Sequence, residues 1–181
     1  MAIKNFWSLR DDEALVASKL QDELKHHDYE VFFPLRSQLK DIDLILCNLK
    51  NKKTFTIQVK GSRSYPAEKK ETETFGEGES GWVMIKKKHI FDSSYPVDYF
   101  IFLIHLETQG ITKKEIKLHY IVLPTEKLKE ICLSKKPNKN DEYGFYFWIN
   151  PKENKALEFH ESRKKPIDLS RYLDNFDQFR H

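Results

Sequence analysis

Cysteine is scarce in this chain: Cys47 and Cys132 are the only two among 181 residues, and no Cys-x-x-Cys occurs. That excludes a disulfide framework and leaves two reduced core thiols of an intracellular protein as the expectation. The seven histidines, at 26, 27, 89, 105, 119, 160 and 181, form neither His-x-His nor His-x-x-x-His, which argues against zinc. Six glycines are spread without a phosphate-cradling loop or a Gly-x-Ser-x-Gly elbow, against nucleotide-hydrolysing and serine-hydrolase chemistry. Long apolar runs are missing as well. Met1 to Trp7 has no stretch of signal-peptide length, and the longest apolar segment, Tyr99 to Leu106, is too short to span a bilayer. A soluble, cytoplasmic protein with no membrane partner is therefore expected. Net charge is only +3, too small to imply nucleic acid without local clustering.

What is present is a dense aromatic and charged composition. Thirteen Phe and eight Tyr accompany 33% charged residues, which fits a folded core under a charged surface. The length suits one domain over residues 1–181, with a core of about 8–125 and a C-terminal extension over 126–181. No repeats or low-complexity tracts appear.

Asp11 to His27 reads as a first helix, with Val16, Leu20 and Leu24 in one stripe, Ala17 beside it, and Ser8 or Asp11 as the cap. Glu13 lies in its first turn on the side of that stripe. It either favours the positive end of the helix dipole or, with its face toward the sheet, reaches the patch around Asp43. Tyr29 to Leu35 and Ile42 to Leu49 read as strands, and Thr54 to Lys60 alternates with Phe55, Ile57 and Val59 on one face and Thr56, Gln58 and Lys60 on the other. With a turn at Lys50 to Lys53 and Leu49 opposite Thr54, Asp43 falls opposite Lys60 and Ile45 opposite Gln58. Residues two apart share a face, so Asp43, Gln58 and Lys60 converge. Asp41 shares that face but falls beyond Lys60, opposite Ser62.

The polar, glycine-bearing stretch from Gly61 to Gly81 reads as a long connection, solvated or acting as a flap over the site. Trp82 to Ile85, Tyr99 to Leu106 and Lys117 to Leu123 read as strands, Pro124-Thr125 to Leu133 as a helix, and Phe145 to Ile149 as a last edge strand. Ile167 to Phe179 reads as an amphipathic terminal helix with Leu169, Tyr172, Leu173 and Phe176 inward. The sum is an α/β fold around a central mixed sheet flanked by helices.

An acid, an amide oxygen and an ammonium on one small patch can hold a divalent cation and a water beside a phosphate. The set Glu13, Asp43, Gln58 and Lys60, in that order, resembles the PD-(D/E)XK phosphodiesterases, which include restriction endonucleases and Holliday-junction resolvases. Members place an Asp at the start of one strand and Glu-x-Lys, or in some branches Gln-x-Lys, on the next, after a helix that often carries a Glu. The resemblance implies a restriction-endonuclease-like core with an αβββαβ-type opening and Mg²⁺-dependent hydrolysis of DNA, with Mn²⁺ as substitute. Asp43, Gln58, the Val59 carbonyl and Glu13 would hold the ion, and Lys60 would orient the attacking water. Cutting both strands implies a homodimer.

Arg63, Lys69, Lys70 and the run Lys86, Lys87, Lys88 are candidates for tracking a phosphate backbone, with Tyr65, Trp82 and Tyr95 able to stack on exposed bases. Gln58 departs from the commoner carboxylate, which removes a unit of charge from the cation site. The alternative is therefore a catalytically silent member of the same fold that binds nucleic acid or protein. A third reading is an interaction module whose aromatic second half docks a partner.

Overall fold

The computed structural model describes residues 11–35, 41–92, 96–109, 114–160 and 165–180. Ser8, Tyr95 and His181 lie outside the described residues. Helix α1 (Asp11–Leu24) buries Glu13, Val16, Ala17, Leu20 and Leu24 along one side. It stops three residues before the expected His27. The His27 N–H bonds the Leu24 carbonyl at 2.9 Å, and Asp28 then turns with φ 59°.

Strands β1 (Tyr29–Phe32), β2 (Leu44–Asn48) and β3 (Thr54–Pro66) follow as an antiparallel meander. The β2–β3 register is two residues off expectation, with Leu44 facing Ile57 and Cys47 facing Thr54. Asn48 is the cause. Its Oδ1 accepts the N–H groups of Lys50 and Asn51, each at 3.0 Å, and its Nδ2 donates to the His27 carbonyl at 3.0 Å. The Leu49 N–H goes to the Asp28 carbonyl and Asn48 still pairs with Lys53, so the loop opens at Leu49 rather than at Lys50. A shift of two leaves every side chain on its expected face.

The expected loop from Gly61 to Gly81 is instead ordered as secondary structure. β3 continues to Pro66, helix α2 (Lys69–Phe75) follows, and β4 (Glu79–Lys86) has begun by Gly81. Gly61 serves close approach, since an added Cβ would lie 1.9 Å from Asp12 Oδ2. Helix α2 is fixed by a capping box in which Glu71, itself buried, accepts the Glu68 N–H at 2.9 Å and the Ser80 hydroxyl at 2.9 Å.

The short helix α3 (Lys87–Phe91) leads to β5 (Tyr99–Gln109) and its hairpin partner β6 (Lys114–Pro124), then α4 (Thr125–Leu133), β7 (Glu142–Asn150), β8 (Lys155–Glu158) and β9 (Ile167–Asp168). The sheet runs β1-β2-β3-β4-β7-β8-β9, with β5 on the other edge of β3 and β6 beyond β5. Among the described strands only β3 and β5 pair in parallel. The protein is thus α/β with a mostly antiparallel open sheet and, among the described residues, four α-helices. No helix among those residues is long and apolar enough to cross a membrane.

Strand β7 is not the expected edge. It lies between β4 and β8, which its apolar character on both faces requires, since Phe145, Phe147 and Trp148 are all fully buried. The expected terminal helix is also absent. Ile167 to Phe179 forms β9 and two 3₁₀ turns, Ser170–Tyr172 and Asp177–Phe179. Asp168 Oδ1 accepts the Ser170 N–H at 2.8 Å, Asn175 Oδ1 accepts the Asp177 N–H at 3.0 Å, and Asp174 stands at φ 49°. Short polar side chains that bond their own backbone compete with a helix. The four residues expected inward are nevertheless buried.

Two apolar clusters sandwich the sheet at β3. Val16, Leu20 and Leu24 of α1 pack on Leu44, Leu46, Ile57, Val59, Ile101 and Leu103. The other face carries Phe100, Phe102 and Ile104 against Val83, Ile85, Phe145 and Phe147, closed by Leu128 and Ile131 of α4. Cys132 lies in this second cluster, and burial pushes its thiol up to about 12. Cys47 is free and half-buried. With the unfolded thiol ionising near 9 and the folded one near 12, the unfolded state sheds its proton first. That group therefore removes stability as pH rises from 9 to 12. Native protein at pH 8.5 should accordingly lose one thiol to a maleimide quickly and the second only on unfolding, which mass spectrometry of the timed adducts would show.

Candidate functional site

A strand has two edges, and along one of them β3 changes partner. β5 pairs with Ile57 to Arg63 on one side, while the other side is shared by β2, over Thr54 to Ile57, and β4, over Ser64 to Pro66. From Gln58 to Arg63 that second edge has no ladder strand among the described residues, and unpaired strand edges need a substitute. Asp43, just before β2, supplies it: Oδ2 accepts the Val59 N–H at 2.8 Å, and its own N–H donates to the Ile57 carbonyl at 2.9 Å. At the far end of the gap Ser62 Oγ accepts the Trp82 N–H at 3.1 Å. Within a strand the N–H and C=O of one residue point to the same edge, so the Val59 carbonyl faces this gap beside Asp43.

Continuing the register of β2 and β3 sets Asp43 opposite Gln58, not opposite Lys60 as expected. Gln58 pairs with Phe100 and Lys60 with Phe102 across to β5, so both side chains stand on the face of the larger apolar cluster. Gln58 is 2% exposed, and its Oε1 is buried with no hydrogen-bond partner. A buried amide oxygen without a donor costs on the order of 1–3 kcal/mol, and evolution rarely leaves that uncompensated. Lys60 is half-buried one step further along.

Glu13 arrives from the other face. It is buried in the α1 stripe that packs on Ile57 and Val59, so the sheet lies between it and Gln58. The first turn of α1 meets β3 at Gly61, where Asp12 covers the Cα and its Oδ1 lies 2.8 Å from His105 Nε2. This Asp12–His105 pair has no signature in the sequence, since its members are 93 residues apart. Asp41 is not placed against Ser62 as expected. Its carboxylate is bonded to His89 on α3.

The basic candidates divide among elements. Arg63 is exposed on β3, Lys69 and Lys70 are exposed at the start of α2, Lys86 ends β4, and Lys87 and Lys88 open α3. Lys69 also lies 3.9 Å from Glu73. Tyr65 and Trp82 are both on strands, Tyr65 half-buried and Trp82 exposed.

No protein-family model, curated protein or solved structure matches the chain. The site's reading therefore rests on its own chemistry. Among the described residues no group of three or more His, Cys, Asp or Glu side chains is placed to share a metal. The oxygen donors that the register brings near this position are instead one carboxylate, from Asp43, and two neutral oxygens, the Val59 carbonyl and the Oε1 of Gln58 opposite Asp43. Hard oxygen donors of this kind suit Mg²⁺ better than zinc, and the orphaned Oε1 is a fit for an ion in search of ligands.

If Oε1 is held for a ligand rather than for the fold, replacing the amide by hydrocarbon should help the fold. Gln58→Leu is expected to raise the unfolding free energy in EDTA by roughly 1–3 kcal/mol, read from urea denaturation. A loss of stability would mean that the amide has a structural partner.

Proposed function

We propose that this protein is a Mg²⁺-dependent endonuclease-like enzyme of the PD-(D/E)XK type, acting on DNA, with a restriction-endonuclease-like core. The observation that carries the proposal is the buried, unpartnered Oε1 of Gln58, the residue that the register sets opposite Asp43 and next to Val59 at an edge with no ladder strand among the described residues. The order of elements supports it: a helix, three antiparallel strands, then a crossover to β5 parallel to β3.

In this reading Asp43, Val59 and Gln58 hold the ion, which when bound supplies positive charge against the phosphate. Asp43 is already oriented by the Val59 N–H, which fixes its carboxylate at this edge. Lys60, on the face of Gln58, would contribute a positive charge that can orient water and offset charge on the phosphoryl oxygens. Glu13 adds negative potential from beneath the sheet. Two copies of the chain would be needed to cut both strands of a duplex.

A second reading, a nucleic-acid-binding member of the same fold without activity, is favoured by one observation. Gln58 is an amide where a carboxylate would double the formal charge offered by the gap. The two readings separate on plasmid and branched DNA incubated with Mg²⁺. Cleavage by the wild type is expected to fall at least about a hundredfold in Lys60→Ala and in Asp43→Ala, with circular dichroism confirming folded protein. Gln58→Glu is expected to lower the Mg²⁺ concentration needed. Unchanged cutting in either alanine variant rejects the assignment, and wild-type protein that binds DNA but never cuts favours the silent form.

A further inference from the structure

The outward face of the sheet beyond the candidate site carries a row of side chains that crosses five segments. Arg63 on β3 is paired in register with His105 on β5. One step past the last β3–β4 ladder pair, Ser64 with Gly81, Arg63 neighbours Trp82. Trp82 is paired with Tyr146 on β7, their rings stacked with centroids 6.4 Å apart and planes at 21°. Tyr146 then meets His160, just past β8, at 4.8 Å. Strand alternation puts Arg63, His105, Trp82 and Tyr146 on the side away from the large core, whose inward members here are Val83, Phe145 and Phe147, and His160 joins them from beyond the end of β8.

Three properties set this row apart from a solvated sheet face. Trp82 is 49% exposed, although indole is among the groups most worth burying. Arg63 is exposed, and among the described residues its guanidinium has no carboxylate partner. The far end is also built rather than incidental: buried Glu158 Oε1 accepts the backbone N–H groups of Tyr146 at 3.4 Å and His160 at 3.1 Å, and the His160 ring bonds the Gly144 carbonyl at 2.7 Å. Glu158 is in turn held by buried Lys135 at 2.5 Å.

We propose that the row Arg63, Trp82, Tyr146 and His160 is a stacking platform for unpaired bases of single-stranded DNA. Rings on adjacent strands offer successive π-faces to splayed bases, and every base has one, so such a surface reads single-strandedness rather than sequence. Arg63 supplies the charge that a phosphate between two stacked bases requires. The row begins at His105 and Arg63, where Asp12 of α1 bonds His105 and covers Gly61, on the face of β3 opposite Gln58 and Lys60. The choice of DNA rests on the nuclease reading above. The platform's binding does not depend on catalysis.

The test is fluorescence anisotropy of labelled oligo-dT, oligo-U and a blunt duplex of equal length, all in EDTA. Wild-type protein is expected to bind oligo-dT tightest. Trp82→Ala and Tyr146→Ala should each weaken it roughly 5- to 150-fold, the range for loss of one stacked base, with Trp82→Phe recovering most of the loss. Arg63→Ala should lower the salt dependence by about one phosphate contact. Alanine variants that bind like the wild type, or a preference for duplex or oligo-U, overturn the proposal. Binding through Trp82 by a protein that never cuts DNA in Mg²⁺ keeps the platform and rejects the nuclease reading. Cutting by the wild type with undiminished binding in both alanine variants does the reverse.

Discussion

The hydrogen bond from the Val59 N–H to Asp43 Oδ2 holds together a strand that would otherwise be divided. β3 has thirteen residues and must satisfy β2 at one end and β4 at the other along the same edge. A carboxylate acceptor is the economical way to close the interval, because a charge-assisted bond contributes roughly 1.5–3 kcal/mol against about 1 for a neutral one. It also sets a carboxylate where, among the described residues, no strand pairs with β3. The same bond that completes the sheet therefore places a charged group at an interrupted edge.

How the charges balance there decides what the site can do. Asp43 at Val59 and Asp12 over Gly61 are two carboxylates at the gap, with the Lys60 ammonium between them along the strand. In the proposed reading an ion there would take part of its neutralisation from phosphate oxygens, as is common where Mg²⁺ keeps few protein ligands.

Much of this architecture was legible in the chain. The alternation of Thr54 to Lys60 sorted Gln58 and Lys60 from Ile57 and Val59, and because a sheet repeats every two residues, misplacing the turn at Lys50 did not move a side chain to the wrong face. It did exchange Gln58 for Lys60 as the residue facing Asp43, since the Asn48 side chain, a local cap, opens the loop early. The glycines at 61 and 81 suggested a flexible connection. Both in fact mark close approach, to Asp12 and to Ser62, and pattern alone cannot separate that from a turn. The apolar spacing of Leu169, Tyr172, Leu173 and Phe176 mimicked a helix. Asp168, Asp174 and Asn175 carried the contrary signal, as residues that bond their own backbone or a neighbouring strand. Contacts such as Asp12 with His105 come only with the tertiary fold.

The buried Lys135–Glu158 pair fits the same logic on the other half of the sheet. Two charges at 1% and 2% exposure are expensive to desolvate, and hydrocarbon of equal volume would often stabilise as well or better. Here the pair makes more than its mutual bond: Lys135 donates to the Gly144 carbonyl at 2.8 Å and lies 4.4 Å from the centre of the Phe145 ring, while Glu158 gathers the N–H groups of Tyr146 and His160. A hydrophobic substitute would fill the space but leave those N–H groups without an acceptor and the two rings without a fixed backbone. The cost of the buried charges thus goes into the geometry of the surface above them, just as the Asp43 carboxylate completes the sheet by shaping the gap beside it.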